Sequence, residues 1–156
     1  MRKRRSGIIK GVRNLYWSER IISIAMVFES RTLSITIACP PRKVYEFISN
    51  TENLPRWAAG LCKSVRKSDS GWIADTPQGP VKIRFAEKND LGVLDHYVKL
   101  ASGIEVYVPM RVVPNGSGSE VIFTLFKTPN MSDKQFAEDA GMVQRDLKTL
   151  KNVLER

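Results

Sequence analysis

Histidine and cysteine are scarce in this chain of 156 residues: it has one His, His96, and two Cys, Cys39 and Cys62. A single imidazole excludes metal centres built on two or three His ligands. Two cysteines exclude a disulfide framework and a multi-thiolate metal site, and read as reduced thiols filling core or subsurface space. Long apolar runs are missing too. The nearest, Ile21 to Phe28, is broken by Ser23 and followed by Glu29 and Arg31, well short of the ~20 residues of a membrane span. A secretory signal would need a longer apolar stretch and a small-residue cleavage site after its basic start. There is no phosphate-binding glycine loop, no metal-ligand spacing and no nucleophile motif. The expectation is a cytoplasmic domain without metal or cofactor.

What the chain does have is positive charge, with 25 Lys and Arg against 16 Asp and Glu and a net charge of +9. Such a balance ordinarily suggests nucleic acid, an anionic membrane or an acidic ligand. Its distribution matters more. Residues 1–26 hold Arg2, Lys3, Arg4, Arg5, Lys10, Arg13 and Arg20 against Glu19 alone, so the remainder is only mildly basic. Residues 1–29 read as a basic N-terminal extension, either a tail or the product of a start codon set too early, with Met26 an alternative start. Tyr16, Trp17 and Ile21, with the basic flank before them, would also suit a short amphipathic helix at an interface. Salt-sensitive attachment to nucleic acid or membrane through residues 1–26 is one functional alternative. A solvated tail is the plainer one.

Residues 30–156 read as one domain. Leu33, Ile35 and Ile37 alternate with Thr32, Ser34 and Thr36, the period-two pattern of a half-buried strand. Pro40-Pro41 ends it, and Pro41 suits a first helical turn. Val44, Phe47 and Ile48 predict a short helix to about Ser49, and Asn50 or Thr51 caps a second turn bearing Leu54, Trp57 and Ala58. Strands are predicted over about 61–68, 71–76, 80–88, 93–100, 104–113 and 119–127, joined by short turns and hence antiparallel. A helix follows from about Asp133 to Leu154. Ser132 and Gln135 form a capping-box pattern, and Phe136, Ala140, Val143, Leu147, Leu150 and Leu154 make one apolar stripe.

Registers follow from the turns. Pairing Phe85 with His96 also pairs Ile83 with Val98. The next turns pair His96 with Val108, Val98 with Val106, Leu94 with Met110 and Met110 with Phe123. One face then collects apolar residues from Val81 to Leu125 with His96 as its lone polar group. The other collects Lys82, Arg84, Asp95, Tyr97, Lys99, Glu105, Tyr107 and Arg111. Slipping any register by one residue would mix the two sets. Pro109 marks a bulge or distortion. One helix rarely fills a broad concave sheet, so a mostly apolar cavity between sheet and helix is expected. Candidate ligand-binding residues are His96, Trp57, Trp72, Phe85, Met110, Phe123, Phe136 and Val143. The plain alternatives are a core histidine bonded to a carbonyl or buried water, and packing tryptophans. Tyr97, Tyr107 and Phe126 align outward as a homodimer surface or a dock for the N-terminal segment; scattered surface aromatics are the alternative.

A strand, a short helix pair and a meander ending in a long helix resembles the helix-grip superfamily, START-like and Bet v 1-like (SRPBCC). Pro40-Pro41-Arg42-Lys43-Val44-Tyr45-Glu46-Phe47-Ile48-Ser49, then Asn53-Leu54-Pro55-Arg56-Trp57, is similar to the start of polyketide cyclase/dehydrase-like members. The resemblance covers residues 31–155. It implies an α+β fold, a curved antiparallel sheet of about seven strands wrapped around the C-terminal helix, with two short helices after the first strand. The superfamily includes lipid and hormone carriers, aromatic cyclases, nucleases and ring hydroxylases, so fold does not settle function. The ring-hydroxylase iron site needs two histidines and a carboxylate, which this chain cannot supply. The leading expectation is binding of a small, largely hydrophobic molecule. The enzyme alternative is a cyclase, dehydratase or hydrolase using the same cavity with His96 as acid or base. No partner carboxylate shares its face, since Asp95 and Glu105 point the other way.

Overall fold

The computed structural model describes residues 27–156. The first alternating segment forms β1 (Ser30–Ile37), which buries its apolar side progressively until Ile37 is fully enclosed. Pro41 takes the first turn of α1 (Pro41–Ser49), where a missing N–H does no harm. Val44 and Ile48, four apart on one helical face, are the residues it buries. The Asn50 side chain accepts from Glu52 N and starts a single 3-10 turn. That turn runs into α2 (Leu54–Trp57), which buries Leu54 and Trp57.

The meander comprises β2 (Ser64–Ser68), β3 (Gly71–Thr76), β4 (Gly79–Phe85), β5 (His96–Lys99), β6 (Glu105–Val108), β7 (Met110–Asn115) and β8 (Gly118–Phe126). Hydrogen bonding orders them as β1-β8-β7 and β2-β3-β4-β5-β6, all antiparallel. The two sheets meet at Pro109. Proline has no N–H to give to a ladder, so the predicted strand 104–113 is split into β6 and β7. Thr124 N to Pro109 O, Leu94 N to Met110 O and Val112 N to Gly92 O, at 2.9–3.0 Å, stitch the break. About seven predicted strands thus become eight shorter segments of one curved surface.

Other boundaries also retreat. The segment 58–62 is a turn closed by Cys62 N to Ala58 O at 3.0 Å, so the strand predicted from 61 begins at Ser64. Between β4 and β5 the chain leaves the ladder around Asn89. Its side-chain oxygen accepts from Leu91 N and Val93 N, while its amide donates to the Glu87 and Val93 carbonyls. Gly92 closes this loop at φ +71°, and a Cβ there would lie 2.0 Å from Val112 O. Only glycine serves at such a point.

The predicted registers hold where the strands pair: Phe85 with His96, Ile83 with Val98, His96 with Val108, Val98 with Val106, and Met110 with Phe123; Trp72 lies opposite Ile83. Facing the sheet lies α3 (Asp133–Leu154), opened by the Ser132–Gln135 capping box. It packs on β1 and α2. Lys151 Nζ donates to Thr36 O at 2.7 Å, Ala38 N to Glu155 Oε1 at 2.6 Å, and Gly60 N to Asp146 Oδ1 at 3.4 Å. These ties draw in the C-terminal half of the helix. Leu147, Leu150 and Leu154 accordingly join one continuous core with Ile37, Ile48, Trp57, Ile83 and Met110, whereas Phe136 and Ala140 do not.

The apolar face is therefore not a uniformly buried interior. Leu33, Ile35, Phe85, Val98, Phe123 and Val143 pack against the core but are only partly buried. At the β5–β6 tip Leu100 is 38% and Ile104 57% exposed. The sheet extends beyond the cover that a helix leaning on β1 and α2 can provide.

Candidate functional site

His96 opens β5 with Phe85 opposite it on β4 and Val108 opposite it on β6. Its ring centroid lies 4.8 Å from that of Phe85, at 35°, and 6.3 Å from that of Phe123, edge-on at 65°. The imidazole is buried, and its Nδ1 lies 3.1 Å from the carbonyl oxygen of Leu94, two residues back. Removal from water between two phenyl rings disfavours the imidazolium. Burial lowers the His96 pKa to about 4, against a weaker opposing pull from the Leu94 carbonyl. At neutral pH the ring is uncharged. A carbonyl can only accept, so Nδ1 carries the proton and Nε2 presents a lone pair. Among the described residues Nε2 has no hydrogen-bond partner.

The neighbouring carboxylate is turned away, as alternation along a strand requires. Asp95 accepts from Tyr107 Oη at 2.6 Å, from Met110 N at 2.9 Å and from Arg111 Nη1. On the same outer face Tyr97 lies against Tyr107 at 5.1 Å, with the Arg84 guanidinium 4.6 Å over the Tyr97 ring. Asp95 thus organises the outer surface and makes no contact that would orient His96.

The predicted site residues separate into groups. His96, Phe85 and Phe123 form one aromatic cluster, with Met110 paired to Phe123 and fully buried. Val143 faces the core half-buried from α3. Trp72 stands two strands from His96, opposite Ile83, and is half-buried. Phe136 is buried near the start of α3, with the Arg31 guanidinium 5.3 Å over its ring. Trp57 lies in the core on α2, and its indole N–H is buried with no hydrogen-bond partner among the described residues. A buried orphan donor is uncommon and costs roughly 1–3 kcal/mol.

Two concavities escaped the sequence reading. A groove of about 590 Å³ lies outside the grip, where Arg42, Tyr45 and Glu46 of α1 face Asn89, Leu91 and Gly92. Asn89 N donates to Tyr45 Oη at 3.0 Å across it, and Arg42 pairs with Glu46 at 2.9 Å. No periodicity links Tyr45 to Asn89, so nothing in the sequence pointed there. A smaller hollow of about 170 Å³ on the outer sheet face is lined by Lys82, Arg84, Tyr97, Lys99 and Glu105. The outward register could have located that one. None of the predicted site residues lines either hollow.

Among the described residues no group of three or more His, Cys, Asp and Glu is gathered to hold a metal ion. None of their helices is long and apolar enough to cross a membrane. The basic segment 1–26, and any attachment through it, lies outside the described residues.

No family model matches the sequence. No curated protein matches it either. Solved structures do. XoxI of Bacillus cereus superposes with a TM-score of 0.65 at 19% identity, over 80% of this chain and 94% of its own. Ara h 8.0201 gives 0.63 at 13% identity, over 82% and 98%. A START superfamily protein of Mycobacterium smegmatis gives 0.61 at 12% identity, over 81% and 97%. At such identities the likeness speaks to architecture. With the sheet, the paired short helices and the gripped C-terminal helix all in place, the chain has the helix-grip fold of START-like and Bet v 1-like proteins.

Proposed function

We propose that the protein binds a small, largely hydrophobic molecule between the curved sheet and the N-terminal half of α3. The observation that carries this reading is the packing asymmetry of the grip. Leu147, Leu150 and Leu154 join the continuous core, and Phe136 and Ala140 are buried outside it, while Leu33, Ile35, Phe85, Val98, Phe123 and Val143 are only partly buried, Phe85 and Phe123 beside His96. Apolar surface left partly exposed in a concave setting gains from a ligand at roughly 25 cal/mol per Å² covered, before ordering costs are subtracted. The helix-grip fold is compatible with this role without requiring it.

The test is titration with the neutral fluorophore N-phenyl-1-naphthylamine. A saturable rise in emission is expected in the wild type, and Val98→Trp, which adds bulk beside His96, should weaken it at least fivefold. Absence of a saturable response would overturn the reading. So would an unchanged response in Val98→Trp, because binding would then lie elsewhere, for example in the groove beside Tyr45.

A further inference from the structure

We propose that His96 selects ligands carrying a hydroxyl or N–H donor, so that the molecule bound in the grip is a phenol or alcohol rather than a carboxylic acid; this rests on the ligand-binding reading above. One bond fixes where the ring proton sits. Nδ1 lies 3.1 Å from the Leu94 carbonyl, which has only lone pairs to offer, so the ring proton is held there. Nε2 is left as an acceptor. The groups set around the ring are Phe85, Phe123 and Val108, none of which can donate to it.

An acceptor flanked by hydrocarbon discriminates by chemistry. A ligand hydroxyl gives Nε2 the hydrogen bond it lacks, and the rest of the molecule can lie on Phe85 and Phe123. A methyl ether of the same shape has no proton to give and leaves the lone pair unmatched. A carboxylate would set its own lone pairs against that of Nε2 and would surrender its hydration with no cation at the ring to replace it. Recognition of a donor by a buried acceptor is also the kind that rejects the analogue lacking it. The Arg31 guanidinium is engaged over the Phe136 ring.

Because His96 is the chain's one histidine, its ring nitrogens can be read without assignment in a long-range 1H–15N spectrum of the tag-free protein. At pH 7 Nε2 should show the unprotonated signature. It should move when 2-naphthol is added and stay when 2-methoxynaphthalene is added. In competition against N-phenyl-1-naphthylamine, 2-naphthol should bind about fivefold more tightly than 2-methoxynaphthalene, the value of one ordinary hydrogen bond, and more tightly than 2-naphthoate. His96→Phe should reduce the naphthol preference to under about twofold while retaining the ether, as expected when only that one hydrogen bond is lost. A protonated Nε2, equal competition by ether and phenol, failure of 2-naphthol to compete, or tighter binding of the naphthoate would each overturn the hydroxyl assignment while leaving apolar binding standing. Loss of the fluorophore response itself would overturn both.

Discussion

Lowering the pH from 7 to 5 should cost this protein about 2 kcal/mol of stability through His96 alone. The unfolded chain takes up a proton on this ring near pH 6.5, whereas the folded one resists until about pH 4 because the charge would be buried between Phe85 and Phe123. Between those values the unfolded state binds more protons, so stability is complete above about 6.5 and falls as the pH drops. The loss levels off below 4 at about 3 kcal/mol, following from the size of the shift. The half-buried carboxyl of Asp146 moves the other way: desolvation raises its pKa, so its contribution grows as the pH falls through that raised value. A matched pair removes such background. Urea denaturation of wild type and His96→Phe at pH 7, 6 and 5 should show the variant losing about 2 kcal/mol less over the range. Direct titration of the imidazole by NMR supplies the second reading. Parallel pH dependence in the two proteins, or a folded-state pKa near 6.5, would refute the account of His96 as a desolvated neutral ring.

Two further outcomes follow from the packing. Leu150→Ala removes a fully enclosed side chain at the closed end of the grip and should cost about 2–5 kcal/mol in chemical denaturation. Val143→Ala, at a half-buried position on the same stripe, should cost under about 1.5 kcal/mol. Equal losses would mean that the two ends of α3 pack alike. Cys62, fully enclosed and with its pKa pushed up to about 11 by burial and then by Asp146 and Asp75, should resist 5,5′-dithiobis(2-nitrobenzoate) in the native state at pH 8. Thiol release at 412 nm should appear only with unfolding, and prompt native labelling of that cysteine would contradict its enclosure.

The outer face of the sheet carries a separate organisation. Arg84, Tyr97 and Tyr107 stack in sequence across β4, β5 and β6, and Asp95 fastens Tyr107 to Arg111 and to the backbone of Met110. A cross-strand ladder of this kind rigidifies the hairpin that holds His96 on the opposite side. Tyr97 and Tyr107 are thus engaged with each other and with charge, a structural use of two of the three aromatics aligned outward, whereas Phe126 sits opposite Ser30 on β1. A dimer through the same surface stands as a proposal, which sedimentation of wild type and Tyr107→Glu would test.

The sequence by itself determined which residues lie on which side of each element. Alternation in β1 and in the meander, the parity that ties Phe85 to His96 and Met110 to Phe123, and the stripe from Phe136 to Leu154 are local patterns, and local patterns survive into the fold because burial punishes a one-residue slip. The capping box at Ser132 and the interruption at Pro109 were legible for a similar reason, since each depends on backbone chemistry within a few residues. Tertiary structure alone decided how far the faces stand apart. The lean of α3 toward β1 and α2 is set by Lys151 on Thr36, Glu155 on Ala38 and Asp146 on Gly60, contacts 86 to 117 residues apart in the chain. That lean buries Leu150 and leaves Val98 partly open. It also decided that Trp57 keeps an unanswered N–H and that Tyr45 reaches Asn89. Periodicity carries direction; the separation between surfaces comes from many long-range contacts acting together, and whether His96 meets a packed core or a ligand depends on that separation.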